Sequence, residues 1–84
     1  MTNSLKKIHI NYYALLREER GISQEIFQTK ARTAQELFEE LKNLYHFRLS
    51  TDLIKVAINN EFSDWQTELK SEDHIVFIPP VAGG

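Results

Sequence analysis

The residues best suited to chemistry stand at the C-terminus: Pro79-Pro80-Val81-Ala82-Gly83-Gly84. Two prolines hold the backbone stiff and extended, and the side chains then shrink to nothing. Fully extended, these residues reach roughly 20 Å. Glycine has no Cβ, so Gly83-Gly84 can thread a narrow channel and lie against the catalytic groups of another protein. The group delivered is the Gly84 carboxylate. A carboxylate is inert until activated, typically as an acyl adenylate, after which a sulfur donor can displace the leaving group and give a thiocarboxylate. The chain has no cysteine, so any sulfur it carries sits at that terminus. A Gly-Gly ending alone is a weak signal, because most termini fray and do nothing. Here it gains weight from its place, directly behind an apolar run and Pro-Pro in a chain of 84 residues.

Other candidates carry less. His9, His46 and His74 have no ligand spacing and no cysteine partners, and read as surface or strand-face histidines rather than metal ligands. Glu18-Glu19 and Glu39-Glu40 are sequence neighbours, which do not converge on one substrate, and read as solvated charges. Trp65 reads as packing before it reads as a partner anchor. No glycine-rich phosphate loop is present. Arg17, beside Glu18 and Glu19, is a loop charge that could orient the tail or touch a partner. Nothing here makes a self-contained active site, so the chain is expected to bind no cofactor itself and not to be an enzyme on its own.

Composition agrees. A chain of 84 residues holds one domain, and 42% hydrophobic content suits a folded one. The formal charge is −2 and the only basic doublet is Lys6-Lys7, which argues against nucleic-acid binding. The N-terminal residues lack the apolar centre of a signal peptide, and apolar runs such as Ile75 to Ile78 are too short to span a membrane. With cysteine absent, a cytoplasmic setting is expected.

These candidates need elements to position them. Residues 6–13 alternate, with Ile8, Ile10 and Tyr12 on one face, which is the period of a half-buried strand. Residues 14–22 break the pattern and read as a loop with a helical turn, closed at Gly21. Residues 23–29 read as a second strand centred on Ile26 and Phe27. Thr33-Ala34-Gln35-Glu36 is a capping box, Thr33 accepting from the Glu36 N–H and the Glu36 side chain reaching back. Leu37, Phe38, Leu41, Leu44 and Tyr45 then form one stripe on a helix of about three turns. Residues 54–59 read as a third strand and Asn59-Asn60 as a turn. Phe62 falls in a short strand, and residues 69–73 form another turn. Ile75-Val76-Phe77-Ile78 reads as a strand buried on both faces, ended by Pro79-Pro80. Such an order predicts an α+β domain over residues 1–78, a mixed sheet packed on one main helix. Residues 79–84 form an extended tail.

Several segments, in order, resemble the small subunit of molybdopterin synthase, the MoaD family. Tyr13-Ala14-Leu15-Leu16-Arg17-Glu18 resembles its F-A-x-x-R-E segment, and Thr33-Ala34-Gln35-Glu36-Leu37 its T-x-x-E-L helix start. Val56-Ala57-Ile58-Asn59 resembles its V-A-V-N strand. Phe77-Ile78-Pro79-Pro80-Val81-Ala82-Gly83-Gly84 resembles its F-P-P-V-x-G-G ending, the most specific of the four. Tyr13 departs from the usual Phe, and Lys70-Ser71-Glu72-Asp73 from a D-G-D type of turn.

The resemblance implies a β-grasp, ubiquitin-like fold and a cycle of sulfur transfer. An ATP-dependent, E1-like enzyme of MoeB type would adenylate Gly84, and a sulfur donor would convert it to the thiocarboxylate. The carrier would then dock on the large, MoaE-like catalytic subunit in a heterotetramer and give its sulfur to the pterin precursor of the molybdenum cofactor. Gly83, Ala82 and Val81 would pass through the partner's channel. Tyr13, Phe62 and Ile78 match positions of apolar partner contact, with core packing as the plainer reading, and Arg17, Pro79 and Pro80 join that surface. Alternatives are a ThiS-like carrier for thiamin thiazole synthesis, a ubiquitin-like modifier joined to lysines, and an interaction module that uses only its sheet.

Overall fold

The computed structural model describes residues 5–80. Strand β1 (Lys6–Tyr12) is followed by helix α1 (Ala14–Arg20), strand β2 (Gln24–Thr29) and helix α2 (Ala34–Tyr45). A 3-10 turn (Thr51–Leu53), then strands β3 (Lys55–Ile58), β4 (Glu61–Ser63) and β5 (His74–Ile78), complete the described chain. The strands form one sheet in the order β2-β1-β5-β3-β4. The central pair β1 and β5 is parallel, and the other pairs are antiparallel. The mixed sheet reflects the chain path, since α2 and the β3–β4 hairpin carry the chain across before β5 enters beside β1.

Alternation decides which face is buried. Ile8, Ile10 and Tyr12 of β1, Val56 and Ile58 of β3, and Ile75 and Phe77 of β5 all lie under α2, which adds Ala34, Leu37, Phe38 and Leu41. Aromatic rings fill the centre. Phe38 meets Phe77 edge-on at 5.1 Å, and Trp65 stacks on Phe77 at 5.9 Å, separations at which such pairs attract. Trp65 is thus packing.

The start of α2 is bonded on three sides. Thr33 Oγ1 accepts the Glu36 N–H at 3.2 Å. The Glu36 carboxylate reaches back one residue further than a capping box requires, taking the Arg32 N–H at 2.8 Å. Helix-start N–H groups lack intrahelical acceptors, and the β4–β5 connection supplies them. Ala34 donates to the Thr67 carbonyl at 3.1 Å and Gln35 to that of Trp65 at 2.9 Å. The helix ends at His46, which takes the left-handed conformation (φ 59°) and donates its N–H to Lys42.

Three expectations need correction. Residues 14–22 hold a seven-residue helix, not a loop with one turn. Leu16 is its buried anchor, and Gly21 closes it at φ 89°, the conformation glycine adopts without penalty. Leu44 is 54% exposed, on the flank of the stripe, while the next residue, Tyr45, still packs against the core. β5 is buried on one face only: Val76 and Ile78 are half-buried, since nothing among the described residues covers the far side of the sheet. Asn59 and Asn60 do form the β3–β4 turn, with φ of 52° and 72°, the pair of positive values that fits a two-residue hairpin.

Candidate functional site

β5 leads directly to Pro79-Pro80. Pro79 is buried and Pro80 exposed, so burial ends between the two prolines. Val81, Ala82, Gly83 and Gly84 lie outside the described residues. What the structure shows is the platform at the root of that segment.

Because β1 and β5 are parallel, with Tyr12 opposite Phe77, both strands end at the same edge of the sheet. Register then carries Tyr13 beside Ile78. Tyr13 is still extended (φ −126°, ψ 155°), so it keeps the parity of His9 and Asn11 and belongs to the uncovered face. Ala14 turns the chain off the sheet with φ 53° and begins α1, on which Arg17 sits exposed. Antiparallel pairing places Lys55 opposite Ile78, Ala57 opposite Val76, and Phe62 opposite Ala57. All of these share the uncovered face. Tyr13 is 48% exposed and Phe62 74% exposed, so neither is core. Three elements far apart in sequence thus bring Tyr13, Ile78 and Phe62 to one face, beside the end of β5. A groove of about 500 Å³ runs beside Phe62 between Lys55 and Trp65. Arg17 and Lys55 add positive charge to the same end, and among the described residues neither makes an ion pair.

The opposite end of this face is built differently. His9 and His74, adjacent across β1 and β5, stack at 4.4 Å with ring planes 6° apart. His9 Nε2 lies 3.0 Å from Glu72 Oε1. That contact, with Lys7 at 3.7 Å, holds the Glu72 carboxyl below its ordinary value. No group of three or more metal-ligating side chains occurs among the described residues.

On the covered side a polar cluster lies beneath α1. Arg20 donates Nε and Nη2 to the two oxygens of Glu25 at 3.0 and 2.9 Å. Tyr12 donates its hydroxyl to Glu25 Oε2 at 2.6 Å. Burial pushes the Glu25 carboxyl up, but the Arg20 and Tyr12 hydrogen bonds and the Arg20 charge together bring it below the ordinary value. Burial, then the Glu25 hydrogen bond, pushes the Tyr12 phenol far up, so it remains a donor. The Arg20 guanidinium also lies 4.0 Å above the Tyr45 ring, a cation–π arrangement. Lys55, the histidine stack and Glu25 were all missed in sequence. Alternation assigns a residue to a face, but only strand pairing says which residues meet there.

A five-stranded mixed sheet packed on one main helix, with its first and last strands parallel at the centre, defines a β-grasp protein of the ubiquitin-like class. The chain belongs to the ThiS family, whose sequence profile matches residues 10–84. It is a ubiquitin-like sulfur carrier of ThiS/MoaD type. Among solved structures it is similar to a Pyrococcus furiosus protein described as molybdopterin converting factor subunit 1. The two are 26% identical over 90% of this chain and 99% of that one, with a TM-score of 0.74. Subunit 1 in the Helicobacter pylori complex of molybdopterin-converting factor subunits 1 and 2 is likewise 26% identical, over 93% of this chain and 99% of that one, at a TM-score of 0.62. Small archaeal modifier protein 1 of Methanosarcina acetivorans shares the fold, with 20% identity, coverage of 98% and 100%, and a TM-score of 0.75. No curated protein matches the chain in sequence. No helix among the described residues is long and apolar enough to cross a membrane.

Proposed function

We propose that this chain is the sulfur-carrying small subunit of molybdopterin synthase, acting through Gly84 in the cytoplasm. The observation that carries the sulfur-carrier chemistry is the family match reaching residue 84, so that it includes the Gly-Gly ending behind β5. In the first step an oxygen of the Gly84 carboxylate attacks the α-phosphate of ATP held by an E1-like enzyme of MoeB type, and pyrophosphate leaves. Sulfur from a donor then displaces AMP, leaving a C-terminal thiocarboxylate. The carrier docks on a large MoaE-like subunit, its sulfur passes to the pterin precursor, and water supplies the oxygen that returns Gly84 to the carboxylate. Val81, Ala82 and Gly83 serve passage, and Tyr13, Phe62, Ile78 and Pro80, with Arg17 beside them and Pro79 buried behind, form the surface that the activating enzyme and the large subunit grip in turn. The chain itself binds no cofactor and performs no catalysis.

The acceptor is chosen from the Pro-Pro-Val-Ala-Gly-Gly ending and from the two molybdopterin converting factor subunits at 26% identity. The family's name favours a second reading, a carrier for thiamin thiazole synthesis, which shares the activation and changes only the acceptor.

Intact-mass spectrometry tests the chemistry. The chain is incubated with ATP, a sulfide source and its activating enzyme. Replacement of one oxygen by sulfur, located at Gly84 and abolished by deleting Gly84, is expected. An unchanged mass beside an enzyme shown to be competent overturns the reading. Transfer to the pterin precursor in the presence of the large subunit then separates the molybdopterin acceptor from the thiazole one.

A further inference from the structure

The Arg20–Glu25–Tyr12 cluster lies outside the carrier chemistry, yet it ties together the segment that bears Tyr13 and Arg17. Helix α1 has only seven residues, below the length at which a helix holds its own shape in water. Tyr13 gives its start no side-chain cap, and no acidic residue stands in its first turn. A single side chain, Leu16, is buried. Its placement must therefore come from tertiary ties, and the tie that engages both ends is one carboxylate. Glu25 accepts from Tyr12, the residue just before Tyr13, and from Arg20, the last residue of α1. Both oxygens are occupied and the side chain is 13% exposed. The planar guanidinium fixes direction as well as distance, because its fork matches a carboxylate in one orientation. Tyr45 beneath it restricts the guanidinium further. Apolar groups of the same volume would hold the helix down as firmly without fixing its direction.

We propose that Glu25 is a positioning residue that holds the Tyr13–Arg17 segment in the orientation the activating enzyme recognises. It acts through Arg20 and Tyr12, not by touching the partner. This rests on the carrier reading above.

The experiment uses the full chain with its activating enzyme, ATP and sulfide, following pyrophosphate release against carrier concentration. Amide hydrogen exchange is read on the same variants. Glu25→Gln keeps size and an acceptor for Tyr12 but loses the charged fork. It is expected to raise the KM for the carrier on the order of tenfold while kcat stays within about twofold. Exchange across residues 14–20 should quicken, with β1 and β5 unchanged. Arg20→Lys keeps the charge without the fork and should shift both readouts in the same direction, which covers the case in which Glu25→Gln folds poorly. A lower melting temperature with an unchanged KM would make the cluster merely structural and overturn the proposal. A raised KM without faster exchange in α1 would overturn it too, by making Glu25 a direct contact. If the unsubstituted chain is never adenylated, the carrier reading fails. The proposal then fails with it, and exchange quickened in α1 alone would show only that Glu25 holds the helix.

Discussion

Truncating Phe62 separates a docking surface from a core more cleanly than any other single change. Fully burying a phenylalanine side chain is worth about 1.5–3 kcal/mol. Phe62 is 74% exposed, so only a quarter of that stands to be lost, and Phe62→Ala should destabilise the fold by about 0.5 kcal/mol. An aromatic anchor in a protein interface is worth about 2 kcal/mol or more when truncated, which is a roughly thirtyfold loss of affinity. The binding effect should therefore exceed the folding effect several-fold. Phe77, fully buried on the central strand of the sheet, supplies the contrast: Phe77→Ala should cost about 3–5 kcal/mol, a large share of a small domain's stability. Urea denaturation of both variants, with titration calorimetry of Phe62→Ala against the large subunit, reads the two quantities separately. Unchanged affinity in Phe62→Ala, or a stability loss approaching that of Phe77→Ala, would refute the assignment of this face to partners.

Thr33→Ala removes the side-chain cap of α2 and should cost about 1 kcal/mol. For a domain of this size that lowers the melting temperature by about 4–8 °C; an unchanged melt would show that the Thr67 and Trp65 carbonyls suffice. The Glu25 carboxyl is held below its ordinary value in the fold, so its contribution is present above the unfolded carboxylate pKa and is lost as pH falls through the lower folded value. The stability gap between the wild type and Glu25→Gln, about 2 kcal/mol at neutral pH for charge-assisted hydrogen bonds, should therefore close on acidification. A gap that stays constant in melts from pH 7 down to pH 2 would contradict the assignment. Leu44→Glu, at an exposed position, should change stability by less than about 0.5 kcal/mol; a loss several times larger would mean that α2 has a partner over its last turn.

The elements most legible in sequence are those whose signal is local. The period of two placed Ile8, Ile10 and Tyr12 in the core, the Thr33–Glu36 spacing fixed the start of α2, and the Asn59-Asn60 pair marked the β3–β4 turn. Readings failed where the decisive contact was distant. Helix α1 has weak local credentials and is held by Leu16 and by Arg20 reaching Glu25 on another strand. Leu44 fits the helical spacing yet stays exposed while Tyr45 beside it packs against the core, which periodicity does not distinguish. The Ile75–Ile78 run reads as buried on both faces, yet Val76 and Ile78 are only half-buried, on the sheet face that no helix among the described residues packs against. That last discrepancy is informative. Apolar side chains kept on an open sheet face, next to Tyr13 and Phe62, are what the proposed partner surface requires.

The position of β5 bears on how such a carrier can work. It is the middle strand of five, paired with β1 on one side and β3 on the other, and its inward residues Ile75 and Phe77 are fully buried. Edge segments open locally at low free energy, whereas a central strand of this kind opens only with the whole domain. The root of the C-terminal segment is therefore as firm as the fold itself, up to the buried Pro79. Proline suits that place: β1 has already ended at Tyr12, so the missing N–H forfeits no ladder bond there. Beyond it, Val81-Ala82-Gly83-Gly84 offers little apolar area, so a partner must draw its binding energy from the platform. The residues able to supply it, Tyr13, Phe62 and Ile78, lie around that root. The proposed division of labour rests on this geometry: the sheet face is gripped while the terminal glycine reacts, and substitutions on the face should change KM where substitutions at Gly84 change the chemistry.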